Sequence, residues 1–230
     1  MRRELLMRAM ILAAGRGERL RPLTDTLPKP LVPVAGKPLI AYHLQHLAAL
    51  GIHEVVINCA WLAPLLMDTL GDGRRYGVTI HYSVEAQALE TGGGIKRALP
   101  LLGSEPFLVI NGDIYVDKLP SLPMLKDNCL AHLWMVANPS HHPQGDFVLK
   151  DNFLVAEEEG TKLTFSGMGI YHPQLFADVN ETRFALGPLL RQKIADGFVS
   201  AEQWPAYWCD VGTVARLQAL EQRLTGATAL

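Results

Sequence analysis

The junction at residues 9–17 constrains this chain more than any other feature. Ala9-Met10-Ile11-Leu12-Ala13-Ala14 is a short apolar run, and Gly15-Arg16-Gly17 stops it. Such a pattern reads as a buried strand feeding a glycine turn, where small residues let the backbone approach a ligand. Successive N–H groups in a turn of this kind form an anion nest, so Leu12, Ala13, Ala14, Gly15 and Gly17 are candidate nucleotide contacts. Two familiar phosphate loops do not fit. Gly15-Arg16-Gly17-Glu18-Arg19-Leu20 lacks the third glycine of a dinucleotide fingerprint, and no G-x-x-x-x-G-K-[ST] loop is present. Downstream, Arg19 and the lysine of Pro28-Lys29-Pro30 add cations that can reach the same phosphates. The bland alternative, a tight turn with solvated basic groups, does not account for the length of the string.

Past the junction the chain alternates. Helical spacing of apolar side chains covers 38–50, and Gly51 stands ready to cap it. A β-branched run covers 54–58, a second helix 61–70 and an alternating strand 78–84. A helix begins at the glycine run near Gly92, and a strand at 107–110 ends at Asn111-Gly112-Asp113. Strands and helices in this order predict right-handed βαβ units and an α/β fold: a Rossmann-like, mixed, mostly parallel central sheet flanked by helices. Beyond about residue 130 short strands dominate (131–137, 146–149, 163–170), with helices at 186–196 and 214–224. No linker rich in Gly, Ser or Pro separates the halves. A single domain over 1–230 is expected, in two halves, 7–115 and 116–216.

Charge narrows the ligand. Residues 1–37 hold eight basic and three acidic side chains, a local +5, while the whole chain carries −2. A confined positive field on an acidic protein suits a polyphosphate better than nucleic acid. No apolar run approaches a membrane span. Residues 1–7 lack the apolar core and cleavage site of a secretory signal. Cys59, Cys129 and Cys209 are odd in number and form no C-x-x-C pair, as expected of buried thiols in the cytoplasm.

Two carboxylates stand out. Asp113 ends a strand, where open α/β sheets bind ligands, and Asp210 lies in a Trp-Cys-Asp-Val-Gly-Thr turn. As hard oxygen donors meeting beside a triphosphate, they suit Mg²⁺ completed by water and phosphate oxygens. Three other features have structural explanations: His43 and His46 as surface histidines, His141-His142-Pro143 as a loop lip, and Trp204 and Trp208 as packing.

The string Leu12-Ala13-Ala14-Gly15-Arg16-Gly17-Glu18-Arg19-Leu20-Arg21-Pro22-Leu23-Thr24 with Pro28-Lys29-Pro30 resembles the signature of the sugar-nucleotide pyrophosphorylases. The resemblance continues through Leu89–Gly94, Asn111-Gly112-Asp113, Gly167–Tyr171 and Trp208–Thr213. It implies transfer of a nucleotidyl group from a nucleoside triphosphate to a sugar 1-phosphate, with Arg19 and Lys29 catalytic and Asp113 and Asp210 holding the metal. Glu85 and Gly92 fall in the base-recognition segment; a carboxylate there accepts from uracil or guanine alike. Asn111, Gly145 and Asp146 fall at sugar-contacting positions. Some positions depart from the pattern: Glu90 replaces a usual glycine, Ser166 a usual asparagine, and E-K-P is missing, with only Glu157-Glu158-Glu159 nearby. These departures point away from a glucose or mannose pocket. The strings Leu-Glu-Thr-Gly-Gly-Gly, Gly-Asp-Phe and Leu-Thr-Phe-Ser-Gly resemble the branch that uridylylates N-acetylmuramate 1-phosphate in bacterial cell-wall recycling. A guanylyl- or thymidylyltransferase acting on mannose or glucose 1-phosphate remains open, as does a non-catalytic nucleotide-sugar sensor. Small-molecule substrates and a monomer or small homo-oligomer are expected.

Overall fold

The computed structural model describes residues 7–155 and 160–226, so the Glu157–Glu159 run and residues 1–6 lie outside the described residues. The elements are β1 (Ala9–Leu12), α1 (Leu23–Thr26), β2 (Pro33–Val34), β3 (Lys37–Pro38), α2 (Leu39–Ala49), β4 (Glu54–Cys59), α3 (Ala63–Leu70), β5 (Thr79–Val84), α4 (Glu90–Leu102), β6 (Phe107–Asn111), β7 (Ile114–Val116), β8 (Ala131–Val136), β9 (Phe147–Lys150), β10 (Phe153–Val155), β11 (Lys162–Tyr171), α5 (Leu186–Ala195), β12 (Val199–Gln203), β13 (Trp208–Asp210) and α6 (Val214–Thr225).

One nine-stranded sheet runs through both halves in the order β5-β4-β1-β6-β11-β8-β12-β10-β9. Strands β5, β4, β1 and β6 are all parallel, as the early alternation requires. Strand β11 then inserts antiparallel between β6 and β8, and β8 pairs parallel with β12. Parallel pairing is continuous through the first half and recurs at β8–β12; the other pairings from β11 onward are antiparallel. Physically, a return strand that needs no crossover helix pairs antiparallel.

Both faces are covered. On β1 and β4, Ala9, Ile11, Val55 and Ile57 face the layer of α2 and α3, packing with Leu44, Leu47 and Leu66. Their neighbours Met10 and Val56 face α4 and α5, with Ile95, Ala98, Leu189 and Leu190. Side chains alternating on strands buried on both sides give the continuous apolar runs read in the sequence. A smaller cluster of Val34, Tyr42, Tyr115, Val211 and Leu220 seats α6 beside the β7–β13 ribbon. That ribbon pairs Asp210 with Ile114 and carries the last turn of the chain to the mouth of the parallel sheet.

Candidate active site

The site begins where three parallel strands end together. Leu12 is in register with Asn58 on one side and Asn111 on the other. Past Leu12 the chain leaves the sheet, and Gly112 closes on it: its N–H donates to Leu12 O at 2.9 Å. A Cβ on Gly112 would stand 2.6 Å from that oxygen, so only glycine lets the β6 turn approach this closely. Gly17 adopts φ +69, and its Cβ would meet Thr24 Cγ2 at 2.9 Å and Lys29 Cβ at 3.0 Å. The turn is thus wrapped against the Pro28-Lys29-Pro30 segment.

These ends open into a cleft of about 630 Å³. Leu12, Ala13, Ala14, Gly15, Gly17, Arg19, Lys29, Asn111 and Asp113 line it, as the sequence leads one to expect, together with Arg16, Asn58, Glu90 and Gly212. Arg16 and Arg19 are exposed, while Lys29 is buried with its Nζ 2.7 Å from Asp113 Oδ2.

Five expected site residues are not on that wall, and their surroundings say why. Glu85 is only 3% exposed. Its Oε1 accepts from Asn58 Nδ2 at 2.7 Å and its Oε2 from Leu89 N at 2.9 Å. Asn58 Oδ1 in turn accepts from Ala13 N at 2.8 Å. The Glu85 carboxylate thus braces Asn58, which lines the cleft, and the Ala13 N–H is held by the same network.

Gly92 lies buried in the first turn of α4, which begins at Glu90 rather than at the glycines. A Cβ there would stand 2.2 Å from Phe184 Cε2, so this glycine makes room for a packed ring. Glu90 itself adopts φ +64, a left-handed conformation that explains why glycine is usual there. Its carboxylate lies 3.5 Å from Arg183 Nε.

Asp210 is held close to Asp113 by the β7–β13 pairing, with Val211 N donating to Asp113 O at 2.7 Å. Its Oδ1 lies 3.0 Å from His141 Nε2 and its Oδ2 3.1 Å from Arg216 Nη2. Gly212 makes the second contact possible, since a Cβ there would meet Arg216 Nη2 at 2.1 Å. Gly145, at φ +63, and Asp146 sit on the loop between β8 and β9, away from the cleft wall. Asp146 Oδ2 accepts from Phe165 N at 2.8 Å and its Oδ1 from His142 Nε2 at 3.1 Å.

Asp113 and Asp210 fit a magnesium ion by donor chemistry. Both are oxygen donors, and Asp113 Oδ1 has no hydrogen-bond partner among the described residues. The described residues hold no group of three His, Cys, Asp or Glu that could cage a metal alone. Two carboxylates with the rest of the shell left to water and phosphate is the arrangement Mg²⁺ prefers.

Other expectations are amended. Ser166 is fully buried, its Oγ accepting from Met168 N, so the Ser-for-Asn change does not face the cleft. His43 is not a surface histidine: it is wholly buried against Ile114 O at 2.9 Å, and burial pushes its pKa down to about 4. Cys59 is a buried thiol whose pKa burial and the nearby Glu85 raise to about 11, and Cys129 is buried too, while Cys209 is only partly so. Trp208 donates to Ser166 O at 2.7 Å, a packing role. Sequence reasoning gave no site role to Asn58 or Arg216, took His141 for a loop lip, and noted Gly212 only within the Trp208–Thr213 string. The signal for Asn58 was its place at the end of the β-branched run 54–58; for Arg216 no local pattern existed.

An α/β sheet whose parallel strand ends carry a glycine cradle, buried lysine and paired aspartates defines a protein that handles phosphate esters. The profile of the nucleotidyl transferase family matches residues 8–129, and this chain belongs to that family. N-acetylmuramate alpha-1-phosphate uridylyltransferase of Neisseria meningitidis serogroup B is 52% identical to it, over 96% of this chain and 99% of the relative. The protein of the same name from Caulobacter vibrioides is 35% identical, over 95% and 97%. A Bacillus anthracis structure assigned as a glucose-1-phosphate thymidylyltransferase, bound to sucrose, matches with TM-score 0.81 over 97% of both chains. At 19% identity that likeness establishes the fold. Among the described residues no helix is long and apolar enough to cross a membrane.

Proposed function

We propose that this chain transfers a uridylyl group from UTP to N-acetylmuramate 1-phosphate, giving UDP-N-acetylmuramate and pyrophosphate. The observation that carries the reaction class is the Lys29–Asp113 pair on the wall of the glycine cradle, with the β7–β13 ribbon bringing the Asp210 backbone beside Asp113. The choice of sugar and base is supported by the 52% likeness to the Neisseria enzyme along almost the whole of both chains.

A phosphate oxygen of the sugar 1-phosphate attacks the α-phosphorus of UTP in line. The bond to the β-phosphate breaks and pyrophosphate departs. The attacking oxygen is already anionic at neutral pH, so no side chain has to act as base. Positioning and charge neutralisation carry such a reaction. The glycine cradle brings backbone close to the triphosphate, and exposed Arg19 reaches the β- and γ-phosphates of the leaving group. Lys29, buried and fixed between two prolines, neutralises charge gathering at the attacked phosphorus. Asp113 and Asp210 are the residues that would hold Mg²⁺, which when bound polarises the α-phosphate. Residues 7–115 would take the nucleotide, while Asn111 and the Gly145-Asp146 loop would face the sugar phosphate. A reaction that consumes UTP belongs in the cytoplasm, where it would return recovered cell-wall sugar to peptidoglycan synthesis.

The test is a matrix of kcat/KM values. N-acetylmuramate, N-acetylglucosamine, glucose and mannose 1-phosphates are each run with UTP, GTP and dTTP. The first sugar with UTP should lead by ~10²-fold or more, the scale of shape discrimination, rising toward ~10⁴-fold where a wrong sugar leaves buried polar groups of the site unpaired. Preference for mannose 1-phosphate with GTP would replace the substrate assignment and leave the roles of Lys29 and the aspartates standing.

A further inference from the structure

Two successive histidines on one loop grip two carboxylates that belong to different parts of the site. His141 Nε2 lies 3.0 Å from Asp210 Oδ1, and His142 Nε2 lies 3.1 Å from Asp146 Oδ1. An ionised carboxylate only accepts, so His142 Nε2 carries the hydrogen of its bond to Asp146, while His141 stands in ion-pair contact with Asp210. Each carboxylate has a second contact at its other oxygen: Arg216 Nη2 lies 3.1 Å from Asp210 Oδ2, and Phe165 N donates to Asp146 Oδ2.

The loop that carries the pair is pinned from within. Asn138 Nδ2 donates to Pro143 O at 3.1 Å and to Lys162 O at 2.9 Å, while its Oδ1 accepts from Thr164 Oγ1 at 2.9 Å. His142 N closes a turn on Pro139 O at 2.9 Å. A Cβ on Gly145 would stand 2.7 Å from Asn138 Oδ1, so the loop folds tightly around that amide. Both imidazoles nevertheless keep about two-fifths of their surface open, at 39% and 41%. A rigid loop with two half-open rings, each aimed at a different carboxylate, is a spacer between two subsites.

We propose that His141 and His142 are positioning residues that set the two ends of the acceptor site from one loop. His141 orients the metal-side carboxylate Asp210, and His142 orients the sugar-side carboxylate Asp146. The loop fixes the distance between them, so an acceptor must present its phosphate and its sugar hydroxyls or amide at matching separation. This rests on the nucleotidyl transfer proposed above; the contacts of the two imidazoles do not.

The experiment separates the two ends. His141→Ala should raise the Mg²⁺ concentration for half-maximal rate about three- to fivefold, the scale of one lost half-exposed ion-pair contact, with little change in the KM for sugar phosphate. Mn²⁺ binding, read by electron paramagnetic resonance without substrates, should weaken in parallel, and His141→Gln should recover part of both by placing a polar NH₂ group beside Asp210. His142→Ala should do the converse, raising the KM for sugar phosphate roughly tenfold while leaving metal binding and the KM for UTP alone. Asn138→Ala, which frees the loop, should show both effects at once. If His141→Ala and His142→Ala give the same pattern as each other, or only lower Tm, the spacer role is wrong. Should the wild-type protein turn over no sugar phosphate with any triphosphate, the proposed function fails. Unchanged Mn²⁺ binding in His141→Ala would overturn the spacer on its own.

Discussion

Lys29 Nζ donates to Asp113 Oδ2 at 2.7 Å across 84 positions of sequence. The lysine side chain is 11% exposed and the aspartate 38%, so the pair straddles the cleft wall with its cation on the inner side. Before substrates arrive the carboxylate is the ammonium's charge partner. A triphosphate offers that ammonium a second set of anionic oxygens.

Lys29→Ala should therefore lower kcat by ~10²-fold or more while changing either KM less, because the charge is needed most in the transition state. Asp113 remains solvated without its partner, so Tm should fall only slightly, by the scale of an exposed ion pair. Steady-state kinetics with thermal melts of the same sample checks both halves. An effect confined to KM would move Lys29 to ground-state binding.

Asp210 allows its chemistry and its structural role to be told apart. Asp210→Asn keeps acceptor oxygen for Arg216 and should cost ~10²-fold in kcat with a nearly native Tm. Asp210→Ala also strips the partner from a half-buried guanidinium, adding about 1–3 kcal/mol of destabilisation. Native-like turnover and Mg²⁺ dependence in Asp210→Asn would remove this residue from the metal site.

Glu85 should behave as a brace. In Glu85→Gln the new NH₂ group must face either Asn58 Nδ2 or Leu89 N, a donor against a donor in a buried place. We expect a loss of about 1–3 kcal/mol in chemical denaturation and no change in the order of triphosphates used. A native melting curve with a switched base preference would restore Glu85 to direct recognition.

Acid stability should report on His43. Its folded pKa is lowered to about 4, from 6.5, because burial disfavours the charged ring. The unfolded chain thus binds the proton more readily, and stability is full above pH 6.5 and falls as pH drops toward 4. Across that window the loss is on the order of 3 kcal/mol, at about 1.36 kcal/mol per unit. Urea midpoints between pH 4.5 and 7.5 should show this slope, and His43→Gln should flatten it. An equal slope in that variant would assign the acid sensitivity elsewhere.

The amino-acid sequence by itself determined the first half of the fold and the cradle. Apolar and β-branched runs set apart by glycines specify β1, α2, β4, α3, β5, α4 and β6 locally, and the Leu12–Pro30 string places the small residues and both cations together. Strand β11 inserting between β6 and β8, and β13 folding back on β7 to set Asp210 beside Asp113, were decided only in three dimensions. Strands such as β7, β10 and β13 are three residues long, too short for any periodicity to mark them. The same holds for single side chains. Nothing around Glu85 in the chain announces that Asn58 and Leu89 will take both its oxygens, or that His141 will reach Asp210. Period and composition report what a segment buries, whereas a carboxylate's role depends on which distant donors the packed sheet brings within 3 Å of it.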